Sequence, residues 1–302
     1  LKALQRIQGH IMRWIQERHF AEGQLIHERY KICRRLGKGS YGVTYLCEDI
    51  QTAQTCVLKR VYPLRGGHVR AQLIYERECR AMSAIDHPSI PSLLDTFQYH
   101  HYHCLVMEYI EGHNVGEWIF EQGLTFTELQ SLQWIKQLVE VVTVIHQQGW
   151  VHRDISLSNV IYHQHKVYLI DLGLMWQQGE GTADVALLDE LVSGDQEEKR
   201  IRRALDVTSD FYGLGHLLLF LLYSYEEEGN SHSSLTDRQE RSWEEELQLH
   251  PRTHQMIRKM LLVAPEQPYQ HIDEIAQAID RIITDLESLP ANNSTYPNIP
   301  PV

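Results

Sequence analysis

The chain has 302 residues, enough to bury a large core as one domain or two packed lobes. With 43% hydrophobic and 23% charged residues it has the composition of a globular protein. Its net charge of −12 gives a long-range field of the wrong sign for general binding to nucleic acid or an anionic membrane.

Residues 1–20 place Leu1, Leu4, Ile7, Ile11 and Ile15 at helical spacing, which predicts an amphipathic helix packed on the domain after it. From Tyr30 to Glu111 the pattern is strand-like. Tyr30–Leu36, Val43–Glu48 and Thr55–Val61 are short β-branched or aromatic runs separated by turn residues. A helix over Val69–Ile85 interrupts them and ends before Asp86-His87-Pro88, and strands come next at Leu93–Tyr99 and Cys104–Tyr109. Past Gly112 a helix is predicted over Glu128–His146. A hairpin comes after it, Val160–Tyr162 and Val167–Ile170 around a turn at His163–Lys166. Helices dominate after that, and the Pro- and Asn-rich tail from Pro290 reads as disordered. The expectation is a small β-rich lobe, then a larger helical lobe, with a boundary near Glu108–Gly112.

The longest strongly apolar stretch, Leu217–Tyr223, is far shorter than the roughly 20 residues that span a bilayer, so no integral membrane segment is expected. The cysteines, Cys33, Cys47, Cys56, Cys79 and Cys104, are odd in number and contain no CxxC. They argue against a disulfide framework or a zinc site, and read as small buried side chains in a reducing cytoplasm. The histidines near the two predicted turns, His100, His101 and His103, then His163 and His165, read as polar turn residues.

Three signals carry chemistry. Gly37-Lys38-Gly39-Ser40-Tyr41-Gly42 is a G-x-G-x-x-G. In a dinucleotide-binding domain that pattern opens a helix, but here it leads into the strand Val43–Cys47. A glycine loop between strands lays backbone N–H groups over nucleotide phosphates, though an ordinary glycine hairpin fits the loop taken alone. Second, Cys56-Val57-Leu58-Lys59 puts a lysine inside an apolar strand, where it needs a partner. Glu78 on the next helix is the candidate, with Glu76 as fallback on another face. Third, His152-Arg153-Asp154-Ile155-Ser156-Leu157-Ser158-Asn159 matches H-R-D-x-x-x-x-N, and Asp171-Leu172-Gly173 begins twelve residues after Asn159.

In this order the motifs resemble the protein-kinase superfamily, in particular the small soluble bacterial Ser/Thr kinases of eukaryotic (Hanks) type. The resemblance covers about residues 28–285 and includes Thr208–Gly215, similar to the stretch that opens the central helix of the large lobe. It implies an α+β bilobal kinase fold, with a small antiparallel sheet carrying one helix and a larger, mainly helical lobe. The domains would be an N-terminal helical extension (1–27), an N-lobe (28–111), a C-lobe (112–287) and a tail (288–302). It also implies ATP and Mg²⁺ as cofactors and, as substrate, a protein with Ser/Thr acceptors, the chain itself among the candidates. The location implied is cytoplasmic, with no nucleic-acid partner.

Residue by residue, the resemblance gives Lys59 to the α- and β-phosphates, held by Glu78, and Asp154 to the substrate hydroxyl as proton acceptor. Asp171 and Asn159 would ligate Mg²⁺. Gly37, Lys38, Gly39, Ser40 and Gly42 would cover the phosphates. Thr44, Val57 and Ile161 would enclose adenine, Glu108 and Ile110 would bond it through backbone, and Met107 would be the gatekeeper. Asp210 would brace the His-Arg-Asp backbone. Arg153 is expected to answer phosphorylation of the activation loop, with Thr182 and Ser193 as candidate acceptors.

Three departures stand out. The lysine usual two residues after the catalytic aspartate is Ser156. No A-P-E closes residues 174–207, and Ala264-Pro265-Glu266 lies too late in the chain to be that motif. The A-P-E segment normally shapes the peptide pocket, so a small-molecule phosphotransferase and an ATP-binding pseudokinase scaffold are the alternatives. The basic cluster Lys199, Arg200, Arg202 and Arg203 adjoins Glu197 and Glu198, and reads as a solvated helical face.

Overall fold

A computed structural model describes residues 19–39, 42–61, 67–181, 196–226, 242–263 and 265–288. It divides into two compact units. One is the described part of Leu1–Tyr75 with Leu93–Tyr109; the other is Glu76–Ser92 with the described part of Ile110–Val302.

The first unit is a six-stranded sheet. Its strands are β1 (Leu25–Ile26), β2 (Tyr30–Gly39), β3 (Gly42–Asp49), β4 (Gln54–Val61), β5 (Leu93–Tyr99) and β6 (Tyr102–Glu108). Their order is β1-β2-β3-β4-β6-β5, and every pair is antiparallel. Alternation along the strands buries Tyr30, Ile32, Val43, Tyr45, Cys47, Cys56, Leu58, Cys104 and Val106 in one cluster. Two register shifts, between Ile32 and Arg34 and between Arg35 and Gly37, interrupt the β2–β3 ladder just before Gly37-Lys38-Gly39. At Gly42 a Cβ would sit 2.3 Å from the Arg60 carbonyl oxygen, so no other residue fits there. An edge ion pair fixes the β2–β3 side: Arg29 donates to both Asp49 oxygens at 2.9 and 2.8 Å.

Phe20 closes one end of this unit. Its ring lies 5.2 Å from that of Tyr45, and the Arg60 guanidinium stacks over Phe20 and Tyr102 at 5.0 and 4.4 Å. His19 and Phe20 are not helical; the rest of the helix predicted over residues 1–20 falls on residues 1–18, which lie outside the described set.

Helix α1 (Gly67–Ala84) links the two units. The second unit contains α2 (Glu128–Gln147), α4 (Thr208–Glu226), α6 (Pro251–Met260) and α7 (Ile272–Ser288), with the shorter α3 (Gln196–Arg202) and α5 (Trp243–Glu246). Helix α2 buries Leu132, Ile135, Leu138, Val142 and Ile145 at helical spacing and packs on α4 and α7. A π-helical turn (Glu117–Glu121) precedes it. Three two-residue strands had no signature in sequence: β7 (His113–Asn114), β8 (Trp150–Val151) and β11 (Trp176–Gln177). The predicted hairpin forms as β9 (Val160–His163) and β10 (Lys166–Leu169), with Gln164 and His165 at its turn, both at positive φ. Strand β7 adds to β9, and β8 pairs with β11.

Candidate active site

The His-Arg-Asp loop leaves β8 and reaches β9 through a 3₁₀ turn, Leu157–Asn159. Its entry is fixed by one buried carboxylate on the first turn of α4. Asp210 Oδ2 accepts from the His152 N–H at 2.8 Å and Oδ1 from the Arg153 N–H at 2.7 Å, while His146 Nε2 bonds Oδ2 at 2.8 Å. Asp210 is therefore the expected brace. Burial pushes its pKa up, but the hydrogen bonds from His146 and His152 outweigh this and hold it below the usual carboxylate range. Helix α4 can approach because residue 213 is glycine: a Cβ there would meet Ile155 at 2.9 Å.

Asp154 comes after Arg153, whose φ is +64°, a conformation that L residues adopt at a cost and that clusters at functional sites. The Asp154 N–H donates to His152 Nδ1 at 3.2 Å. Burial keeps His152 below its ordinary pKa, so the ring is neutral and its Nδ1 is free to accept. Asn159 Nδ2 donates to the Asp154 carbonyl and to Oδ2, both at 2.9 Å. Arg203 Nη2 lies 3.1 Å from Oδ1. Both carboxylate oxygens are thus oriented, and 28% of the side chain stays exposed. Dense protein on its other sides raises the Asp154 pKa, Asp171 adds to that, and Arg203 and His152 oppose it.

Asp171 lies just past β10, again at positive φ (+65°). The Ile170 N–H donates to the Asn159 carbonyl at 2.8 Å, tying this strand end to the loop. Asp171 Oδ1 accepts from the Gly173 N–H at 3.2 Å. The Asn159 amide nitrogen is engaged by Asp154, and its oxygen accepts only a long bond from the Ser158 hydroxyl, 3.4 Å, so that oxygen is the end that can turn to a cation. That oxygen and the Asp171 carboxylate are hard donors of the kind Mg²⁺ takes, which fits a divalent ion that completes its shell with phosphate and water. No cluster of three or more His, Cys, Asp or Glu able to hold a metal occurs among the described residues.

The segment beyond Gly173 is tied down at several points. Trp176 and Gln177 pair with Val151 and Trp150. Glu180 pairs with Arg80 on α1 and approaches Arg77 at 4.0 Å. Arg153, expected to serve a phosphorylated loop, is buried and donates to the Leu174 and Arg203 carbonyls at 3.3 and 2.7 Å. Thr182 and Ser193 lie outside the described residues.

Within the sheet unit, Gly37, Lys38 and Gly39 end β2, and Gly42 and Thr44 begin β3; Ser40 is not described. Val57 and Lys59 lie on β4 opposite Met107 and Leu105 of β6, and Glu108 ends that strand. Lys59 and Met107 are buried. In the other unit Glu78 is buried on α1, Ile110 is buried just beyond β6, and Ile161 lies on β9.

The sequence model of the protein kinase domain matches residues 30–276. The chain belongs to the protein kinase family. Among relatives of this kinase, the probable serine/threonine-protein kinase YbdM of Bacillus subtilis is 33% identical, over 88% of this chain and 94% of that one. Serine/threonine-protein kinase B of Synechocystis is 29% identical over 84% of this chain and 47% of its own length. The PknI kinase domain of Mycobacterium tuberculosis shares the fold, with a TM-score of 0.63 at 18% identity, covering 87% of this kinase and 99% of that domain.

Two sequence readings are corrected. Arg203 is not on a solvated face: its side chain is 12% exposed and it pairs with Asp154, whereas Arg202 pairs with Glu198 as a helical i,i+4 neighbour. No motif marks Arg203; the only signal was a basic residue shortly before Thr208. The cysteines are all free thiols, but Cys33 is exposed rather than buried.

Proposed function

We propose that this kinase transfers the γ-phosphate of ATP to serine or threonine hydroxyls of proteins, itself included, with Asp154 accepting the hydroxyl proton. The observation that carries the reading is the Asp154 carboxylate: oriented at both oxygens, backbone-braced by Asp210, and still partly exposed. ATP brings the phosphoryl group, and Mg²⁺ neutralises charge on its phosphates. Asp171 and Asn159 are the proposed Mg²⁺ ligands. Lys59 is proposed for the α- and β-phosphates, with Glu78 as its support. For the nucleotide, Gly37, Lys38, Gly39, Ser40, Gly42, Thr44, Val57, Met107 and Glu108 are proposed from the sheet unit, and Ile110 and Ile161 from the other.

The chain's own work is positional. Asn159 and Arg203 aim the base, Asp210 fixes the loop, and charge neutralisation at fixed positions does most of the rest. The five free thiols support a reducing, cytoplasmic setting. Among the described residues no helix is long and apolar enough to cross a membrane.

The test is incubation with labelled ATP and Mg²⁺, with phosphoamino-acid analysis of the product. Wild type is expected to incorporate label on serine or threonine, and Asp154→Asn and Lys59→Ala to incorporate none. Label that persists in Asp154→Asn would remove Asp154 from its role.

A further inference from the structure

The protein-kinase pattern that this chain resembles carries a lysine two residues after the catalytic aspartate. Here that residue is Ser156, whose hydroxyl bonds only its neighbour Ser158 at 3.2 Å among the described contacts. The geometry points to Arg203 as the positioning residue that supplies this charge to Asp154 from outside the loop, at the junction of α3 and α4. The inference rests on Asp154 being the proton acceptor.

The placement is built, not incidental. Arg203 Nη2 meets Asp154 Oδ1 at 3.1 Å, while Asn159 takes Oδ2 at 2.9 Å, so cation and amide hold opposite oxygens. Arg203 Nη1 donates to the Arg153 carbonyl at 2.7 Å, and Arg153 Nη2 donates to the Arg203 carbonyl at 2.7 Å. Each arginine thus grips the other's backbone, and the reciprocal bond fixes residue 203 against the loop. A guanidinium only 12% exposed is costly unless paired, and here it is paired to the carboxylate on which the chemistry depends. The planar fork lets one side chain hold a carboxylate and a carbonyl together, which a lysine point charge does less well.

The consequence is positional. Without Arg203, Asn159 alone would aim the carboxylate, through Oδ2, and Oδ1 would lose this partner. The change should appear in kcat rather than in KM for ATP, and a cation returned to the site should restore rate; a group that only held the fold together would show neither.

The experiment measures kcat and KM for ADP formation from ATP and Mg²⁺ with wild type, Arg203→Ala, Arg203→Lys, Arg203→Ala with Ser156→Lys, and Asp154→Asn, with a melting curve for each. Arg203→Ala is expected to lose about 100-fold in kcat with little change in KM for ATP. Arg203→Lys should recover part of the rate. Ser156→Lys, restoring the cation from the loop, should recover about tenfold in the Arg203→Ala background. Wild-type or higher kcat in Arg203→Ala would overturn the inference, the higher value marking the contact as inhibitory. Loss of rate that neither lysine recovers, with or without a lowered melting point, would reduce Arg203 to a structural tie and also overturn it. Asp154→Asn separates the two levels. If it keeps the wild-type rate, the assignment of Asp154 falls and the inference with it. If it is inactive while Arg203→Ala is normal, only the role of Arg203 falls.

Discussion

At the scale of single residues, the site depends on buried carboxylates whose partners are unusually well defined. Asp210 is the plainest case, since its two oxygens answer two consecutive backbone N–H groups and one imidazole. Asp210→Asn keeps the shape but turns an N–H₂ toward a group that already donates. Leaving a buried donor unpaired in this way is expected to cost about 3 kcal/mol in chemical denaturation, and to lower kcat with it because the loop loses its anchor. The pH dependence has a definite sign. The folded-state pKa of Asp210 lies below its unfolded value, so its contribution to stability is complete above the ordinary carboxylate range and is lost as pH falls through the folded value. Wild type should therefore lose stability on acidification more steeply than Asp210→Asn, which denaturant midpoints at a series of acidic pH values would read. Parallel curves would mean that Asp210 does not carry the effect. Sequence marked Asp210 as a brace because it opens a helix in a recognisable stretch. It did not reveal His146 as the third partner, because a bond 64 residues away leaves no local pattern.

Among elements, α2 and α4 do different work and should respond differently to a single methyl-scale change. Helix α2 begins with a capping box. Thr127 Oγ1 accepts from the Gln130 N–H at 3.3 Å, and Gln130 Oε1 accepts from the Thr127 N–H at 2.9 Å. Thr127→Ala removes half of that exchange and is expected to cost about 1 kcal/mol of stability with kcat unchanged, since the cap lies at the far end of the helix from His146. Gly213→Ala is the contrasting change. Its new Cβ would press on the Ile155 side chain and carbonyl at 2.9 Å, one residue beyond Asp154. It should cost roughly 1–3 kcal/mol and reduce kcat as well. Equal kcat losses in the two variants would contradict this division between scaffold and site. The long elements were legible because their hydrophobic period is strong: Glu128–Gln147, and the hairpin at Val160–Leu169, fall within a residue or so of expectation. The strands β7, β8 and β11 were not, because two residues carry no period and their pairing is set by chain segments brought together only in the fold. Arg203 was misread for the same reason, since its partner stands far earlier in the chain and the intervening residues say nothing of the meeting.

For the molecule as a whole, the kinase fold was legible from ordered motifs, and the protein kinase match over residues 30–276 agrees with them. The effect of ligand on the whole chain is set by mass action. A nucleotide that binds only the folded state stabilises it by about 2.7 kcal/mol at roughly one hundred times its dissociation constant. For a chain of this size that is a rise of about 5 °C in melting temperature. The donor set divides this rise into two parts. Asp171 and Asn159 offer oxygens to a cation, whereas the residues proposed for the nucleotide on β2, β3, β4 and β6 include none of these. ATP with excess chelator should therefore give a smaller shift than ATP with Mg²⁺, and the Mg²⁺-dependent increment should vanish in Asp171→Asn while the chelator-resistant part remains. Lys59→Ala should show the converse, losing much of the shift with or without the metal. Thermal melts of the three proteins under both conditions make the comparison. An increment that survives in Asp171→Asn would move the cation elsewhere, because a carboxylate is the one anionic donor in the proposed pair and its loss leaves only neutral amide oxygens, which do not hold a hydrated divalent ion.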